Sequence, residues 1–549
     1  VYRRKVVLPS RSRKRYSFAV PISSPGVPIS VQITAGTEVL FTAEYSLLGK
    51  IIDSPLMLAL SRSSSFDFLM QLSDIIVTYP HAESLPARWD AYDAVDFVSF
   101  HNADLGKISE AQSTALLQWV EDGGTLFISG GIHLTRQLES LSGLFPVTVM
   151  GLARVPVLDD IENAFEVNMP WSDEIVVSMS MVKGGVVIAR AGKVPLLVEE
   201  QRGNGRIFFF AGDIGVLPFS DISFKTALWD YIESQASFRP KVQSPGRIFE
   251  DSALPGLIDL QQDRGYSRRV LLGFLTVYLL GVYIFVLRRS GRPMRRWIAG
   301  LCVSTLLTTG AYLMFSRNLL RSDYLMVDRT TISAGLNRNF AEAQKDIVLV
   351  SLSESMYSIK VNRPDTMVLD RGQARTSIHE DRNLAIENIE VYAWGRQSYR
   401  FLAKVPFTLT GHLVRKGDTL ELLVENSSGS TIQDTILFYR GEVFFAETLS
   451  PGEQLKMNLN FLSSPMADSL NALDESDFED RPARFLVLKS LMEENYFIEA
   501  MEAGSVILLG WLSDPFFNAE TSGKFLSSRE VNILFTEIDL EKEGINAQP

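Results

Sequence analysis

Val270 to Leu287 reads VLLGFLTVYLLGVYIFVL and Trp297 to Phe315 reads WIAGLCVSTLLTTGAYLMF, two runs of eighteen and nineteen residues without a charge. At about 1.5 Å of rise per residue, each is long enough to cross a hydrocarbon core roughly 30 Å thick. The nine residues between them, RRSGRPMRR, carry Arg288, Arg289, Arg292, Arg295 and Arg296 without an acid, and Gly291 and Pro293 supply a turn. The pattern predicts a two-helix transmembrane hairpin whose basic loop, over 288–296, stays in the cytoplasm. The outer flanks also hold five arginines (Arg264, Arg268, Arg269, Arg317 and Arg321), so the density of the loop rather than the count sets that orientation. Gly300, Ser304 and Thr308 recur at four-residue spacing, a small-residue face on which a second helix packs closely in lipid. Neither run contains Asp, Glu, Lys, Arg or His, and ion or proton pathways need such groups. The hairpin therefore reads as an anchor or assembly surface, with the bilayer and other proteins as its partners, and not as a transporter.

Charge is spread unevenly about this hairpin. The 549-residue chain has a formal net charge of −12. Arg264 to Arg329 contains eleven arginines with only Asp323 and Asp328 as acids, which leaves 42 basic against 63 acidic residues elsewhere. So acidic a remainder lacks the clustered Lys and Arg that bind phosphate backbones, and this excludes nucleic acid as a partner. The single cysteine, Cys302, lies inside the second apolar run, which excludes an intramolecular disulfide and a Cys-based zinc site. A chain of this length exceeds one hydrophobic core and implies three or four folding units. It begins at Val1 and enters a strand-like stretch at once, so a further segment upstream is expected.

Ahead of the hairpin, KVVLP, RYSFAVPI, PISVQITAG and TEVLFTAEYSL alternate with period two between Ser/Pro/Gly turns, as half-buried strands do. From Asp53 the rhythm becomes strand and helix: PLMLAL, SFDFLMQL, DIIVTYP, AVDFVSF, a helix from Ser109 to Glu121, then TLFISGG. That alternation predicts an α/β layer on a mostly parallel sheet. Ser109 is placed to cap the helix and Gly123 and Gly124 to end it, with Ala115, Leu116, Trp119 and Val120 as its apolar stripe. Gly203, Asn204 and Gly205 read as a hairpin turn rather than a phosphate loop, since no helix follows. His81 and His101 fall near strand ends, where α/β sheets bind ligands. Two histidines without a paired carboxylate motif do not make a metal site, and no cofactor motif accompanies them.

AYDAVDFVSFHNADLGKISEAQSTALLQWVEDGGTLFISGG, together with GNGRIFFFAGDIGVLPFSDISFKTALWDYI, resembles the class I glutamine amidotransferase-like fold found in many bacterial membrane proteins. The resemblance covers residues 50–238 and implies a flavodoxin-like domain. It also implies a cysteine nucleophile on a strand-to-helix elbow, with His and Glu further along, because a thiolate needs a base and an oxyanion hole to attack an amide. No cysteine stands there. After TLFIS come Ser129, Gly130, Gly131, Ile132 and His133, so Ser129 and His133 alone can stand in. Set against that catalytic reading is a plain one, a Gly-rich turn with a polar surface histidine.

Beyond Asp323 the chain turns to strands: DIVLVSL, NIEVYAW, TLELLVEN, DTILFYR, EVFFAETL and QLKMNLNF, with turns every eight to twelve residues. This spacing predicts an antiparallel sandwich. The stretch LLVENSSGSTIQDTILFYRGEVFFAETLSPGEQLKMNL resembles the Ig-like modules of bacterial surface and envelope proteins, which implies binding or spacing rather than chemistry. Residues 464–484 are polar and acidic but lack the Asp ladder of a calcium loop, and read as a solvated connector before a helix and two closing strands.

The expected class is thus a multidomain α/β plus β protein. A partial β-sandwich spans 1–50, an amidotransferase-like α/β domain 51–240 and a connector 241–269. Transmembrane helices follow at 270–287 and 297–315, then a β-sandwich over 322–463 and an acidic connector, helix and closing strands over 464–549. Its expected place is the inner membrane of a bacterial cell, with both large regions outside the cytoplasm. Its expected function is non-catalytic binding or scaffolding in the envelope, as an accessory subunit of a larger complex. The alternative is an envelope hydrolase that uses a non-cysteine site on the α/β domain.

Overall fold

The computed structural model describes residues 2–3, 6, 11, 26–49, 54–134, 139–155, 158–169, 173–236, 324–351, 354–363, 365–370, 377–380, 384–392, 395–416, 419–440, 442–446, 448–460, 482–492, 495–502, 504–514, 516, 518–522 and 525–538. The chain divides into two compact units, Ser10–Val242 and the combination of Val1–Pro9 with Gln243–Pro549.

In the first unit the elements that matter are β1 (Leu56–Ser61), β2 (Ile76–Thr78), β3 (Phe97–His101), α1 (Glu110–Glu121), β4 (Thr125–Ser129), β5 (Val186–Ala191), β6 (Val194–Arg202), β7 (Gly205–Phe210) and α2 (Ile222–Gln235). The strands form one seven-stranded sheet in the order β5-β6-β7-β4-β3-β1-β2. From β7 to β2 all neighbours are parallel, while β5, β6 and β7 are joined antiparallel. β3, β4 and most of β7 are buried along their length, as strands covered on both faces must be. Helix α1 starts on a capping box in which Ser109 Oγ accepts from Gln112 N at 3.3 Å and Gln112 Oε1 accepts from Ser109 N at 2.8 Å. Its Trp119 is fully buried and donates Nε1–H to Val95 O at 3.1 Å. Gly124 lets the chain pass this ring, since a Cβ there would lie 2.2 Å from Trp119 Cε2.

Chain order and sheet order diverge at one place. From β1 the chain steps outward to β2, then crosses back to β3 on the opposite side of β1 and continues to β4 and β7. The boundary between β1 and β3 is therefore the switch point, where diverging connections open a crevice at the carboxyl ends of the strands. A separate hairpin, Ile29–Ala35 with Glu38–Tyr45, is exposed on both faces. Val147–Val155 pairs with Ile175–Val182 as another two-stranded sheet.

The second unit is built on an eight-stranded sheet. In its middle Tyr324–Ser333 runs antiparallel to Phe340–Ser351 and parallel to Phe525–Ile538. One face packs Ile332, Ile347, Phe401 and Leu534 against residues of a five-stranded and a three-stranded sheet, including Ile359, Ile386 and Leu422. The opposite face packs Val327, Val348 and Ile533 against Val487, Leu488, Leu491 and Phe497 of the helices Pro482–Met492 and Asn495–Glu502. Across this sheet runs a buried ionic row. Arg329, Asp346 and Arg400 are directly opposite one another on three strands. Asp346 accepts from Arg329 at 2.7 Å, from Arg400 at 2.8 Å and from Gln344 Nε2 at 2.8 Å. Burial alone would raise the Asp346 carboxyl, but the two guanidinium groups override it and hold it below the usual range.

Several expectations are corrected here. The described chain is mostly β, not α/β plus β. The amidotransferase-like, flavodoxin-like label for the first unit is not supported by this mostly β chain, and the connection from β2 to β3 carries no α-helix but two single 3-10 turns, Ala82–Ser84 and Trp89–Tyr92, with Pro80 and Pro86 interrupting any longer helix. The helices expected at 270–287 and 297–315 lie outside the described residues. So do the loop 288–296 with Arg288, Arg289, Arg292, Arg295 and Arg296, and the packing residues Gly300, Ser304 and Thr308. Among the described residues no helix is long and apolar enough to cross a membrane. The longest described helix, α2, has 14 residues and at 1.5 Å per residue falls short of a bilayer core of about 30 Å. The expectation of a transmembrane hairpin in an inner-membrane protein is withdrawn on that finding.

Candidate functional site

The carboxyl ends of the parallel strands bring polar side chains into one row. Ser61 closes β1, His101 closes β3 and Ser129 closes β4, and the three are register partners on adjacent strands. Register partners point their side chains to the same face of a sheet. Beyond β7, residues 211–215 curl across that face. Gly212 O accepts from Ser129 Oγ at 2.9 Å, Ile214 N donates to Ser129 Oγ at 3.3 Å, and Asp213 meets His101.

The distances define a chain of three groups. His101 Nε2 lies 2.7 Å from Asp213 Oδ1, and His101 Nδ1 lies 3.1 Å from Ser61 Oγ. Burial alone would raise the Asp213 carboxyl. The hydrogen bonds from His101 and from Gly215 N, with the charges of His101 and His133, outweigh burial and hold it below the ordinary range. An ionised carboxylate only accepts, so Nε2 carries a proton, and whenever the ring is neutral Nδ1 is the nitrogen free to accept from Ser61 Oγ–H. His101 is 2% exposed and Asp213 8%, while Ser61 is half-buried and bonded to the exposed Ser63 through Ser63 N at 3.2 Å. The order from solvent inward is hydroxyl, imidazole, carboxylate.

Close packing holds the carboxylate in place. Gly131 has φ +87°, and a Cβ on it would stand 2.6 Å from Asp213 Cβ. A Cβ on Gly215 would stand 3.1 Å from both Asp213 Oδ1 and His101 Cε1. Phe66 presses its ring edge-on to the imidazole at 6.2 Å between centroids. Because the folded Asp213 carboxyl ionises at lower pH than the roughly 3.9 of an unfolded aspartate, its contribution to stability is complete above that value and is lost as pH falls through the folded one. Asp213→Asn is accordingly expected to flatten part of the acid limb of a stability-against-pH profile, measured by urea unfolding between pH 5 and pH 2.

Residues 408–541 match the profile of a domain of unknown function, DUF8725. The match covers the closing half of the second unit and none of the row just described. No curated protein matches the chain. Among solved structures, a cytoplasmic protein from Salmonella typhimurium LT2 is 17% identical, covers 38% of this chain and 96% of its own, and has a TM-score of 0.26. The yeast delta-COP-I mu-homology domain is 9% identical over 40% of this chain and 98% of that one, with a TM-score of 0.24. A beta-galactosidase from Bacillus circulans sp. alkalophilus is 10% identical over 63% of this chain and 41% of that one, with a TM-score of 0.23. The family match, DUF8725, gives no amidotransferase, and that resemblance is set aside.

The two residues proposed to stand in for the missing cysteine both border the loop that carries Asp213, and no hydrogen bond joins them among the described residues. Ser129 is 4% exposed, and its hydroxyl is engaged on both sides by the loop after β7. His133 is half-exposed, with Nε2 4.0 Å from Asp213 Oδ2. His81 lies apart, in the connection after β2 beside the turn Ala82–Ser84. Among the described residues no group of three or more His, Cys, Asp or Glu is arranged to hold a metal ion. Sequence reasoning noted His101 but missed Ser61 and Asp213. The available signals were position: Ser61 is the last residue of PLMLALS, and Asp213 sits in the AGDIG turn that ends the last parallel strand.

Proposed function

We propose that the carboxyl edge of the parallel sheet is an acyl-transfer site of hydrolytic type, with Ser61 as nucleophile, His101 as general base and Asp213 as the group that orients and balances the imidazole. The observation that carries this reading is the continuous Ser61–His101–Asp213 chain at the switch point of the sheet. In the first step Ser61 Oγ attacks an acyl carbon and gives its proton to His101 Nδ1, which passes it to the leaving group. In the second step water, deprotonated by the same nitrogen, cleaves the acyl-serine and restores the hydroxyl. Ser63 N–H, already turned to Ser61 Oγ, is the donor assigned to the developing oxyanion.

The test is turnover of 4-nitrophenyl acetate by the full chain beside Ser61→Ala. Hydrolysis that disappears in the variant, with an unchanged thermal unfolding curve, is the expected result. Equal rates in both proteins refute the assignment. A second reading, non-catalytic binding and scaffolding, is favoured by the fixed hydroxyl of Ser129, which is held on both sides by the loop after β7 and fastens that loop rather than facing a ligand. That reading expects no turnover by either protein.

A further inference from the structure

Lys225, near the start of α2, is a half-buried lysine whose ammonium makes no hydrogen bond or ion pair among the described residues. Its Nζ stands 5.5 Å from the centroid of the Phe68 ring. Phe68 is two residues from Phe66, whose ring abuts His101, so the lysine borders the same edge of the sheet. The nearby carboxylates have other work. Asp213 Oδ1 is taken by His101 and Gly215 N, and its Oδ2 faces His133. Asp221 caps α2 through Ser223 N, and Asp67 accepts from Tyr79. Burial lowers the pKa of Lys225, with Asp213 only partly opposing. An ammonium that is partly desolvated and unneutralised is costly unless a ligand supplies the missing charge.

We propose that Lys225 receives a carboxylate on the ligand, so that the site takes acyl compounds bearing a negative charge, as in a half-ester of a dicarboxylic acid. This rests on the reading of Ser61 as nucleophile for its chemistry, but the binding of the anion stands apart from it. A charged hydrogen bond of this kind contributes enough to change affinity roughly 10- to 100-fold.

Two measurements on the full chain separate the claims. Glutarate, which cannot turn over, is titrated against wild type, Lys225→Met and Lys225→Arg while the thermal midpoint is followed. A saturable rise in wild type that is lost in Lys225→Met and partly kept in Lys225→Arg is expected. No rise in wild type, or the same rise in Lys225→Met, overturns the anion site. Mono-4-nitrophenyl succinate is then compared with 4-nitrophenyl butyrate. The wild-type preference in kcat/KM for the charged ester is expected to fall roughly 10- to 100-fold in Lys225→Met, mainly through KM. A preference that does not fall contradicts the role of Lys225 even where Ser61 is active. A glutarate response without turnover of either ester supports Lys225 and removes Ser61 as nucleophile.

Discussion

His101→Ala is expected to lower kcat/KM for 4-nitrophenyl acetate on the order of 10⁴-fold, with little loss of turnover left to find in a double variant with Ser61→Ala. Groups that pass one proton act as a unit, so their removals do not add. The magnitude follows from what the serine loses. Its hydroxyl is a weak nucleophile without a base, and the buried imidazole at 3.1 Å is the group placed to take its proton. Asp213→Asn should cost a comparable factor for a different reason. An amide at this position can donate to Nε2, which would move the ring proton to Nδ1 and present Ser61 with a donor instead of an acceptor. Steady-state kinetics at neutral pH measures both. A loss of less than tenfold in His101→Ala would mean that the imidazole only packs against Phe66.

Asp346→Ala is expected to destabilise the second unit by about 3–5 kcal/mol, the range found when one partner of a buried ion pair is deleted. The carboxylate is shared by Arg329 and Arg400 on the flanking strands, and the side chain of Arg329 is only 2% exposed. Without the acid, two guanidinium groups on the flanking strands lose the carboxylate they share in the middle of the sheet. Asp346→Asn keeps an acceptor and should cost less. Replacing all three members with apolar residues of similar volume should recover much of the loss, because the desolvation cost of three charges is then removed as well. Urea unfolding, read for the second unit by tryptophan fluorescence with Trp511 in its core, measures the series. Equal stability of Asp346→Ala and wild type would show that the row is solvated.

These charges explain part of what sequence pattern could not show. In YLMVDRTTIS and FAEAQKDIVLVS the polar residues come as the runs DRTT and QKD, which by composition belong in solvent. Yet Asp328, Arg329, Thr330, Gln344, Lys345 and Asp346 are all buried: Arg329 pairs with Asp346 and Lys345 with Asp328 across the strands, Lys345 also donates to Thr330, and Gln344 donates to Asp346 along its own strand. Periodicity registers polarity and not its pairing. The sandwich was expected to end at 463 for a related reason. Tyr324–Ser333 finds its parallel neighbour in Phe525–Ile538, and a contact across 200 residues leaves no local mark.

Local features were legible. The capping box at Ser109, the buried stripe ending in Trp119 and the turn at Asn204, where Arg202 pairs with Gly205, each depend on a few neighbouring residues. The candidate site was half legible. His101 stood out as a histidine at a strand end, but its carboxylate partner is 112 residues away and its hydroxyl partner 40. Ser61 opens the run SRSSSF, which reads as an ordinary turn. At the elbow after β4, where the resemblance places a nucleophile, the fold instead uses Ser129 to fasten the loop that carries Asp213.

Whether Ser61 is activated by His101 is tested most directly by treating the full chain with a fluorophosphonate and mapping the adduct by mass spectrometry. One phosphonylated serine, Ser61, is expected in the wild-type chain and none in His101→Ala. An unlabelled Ser61, or labelling that persists without the imidazole, would contradict that activation.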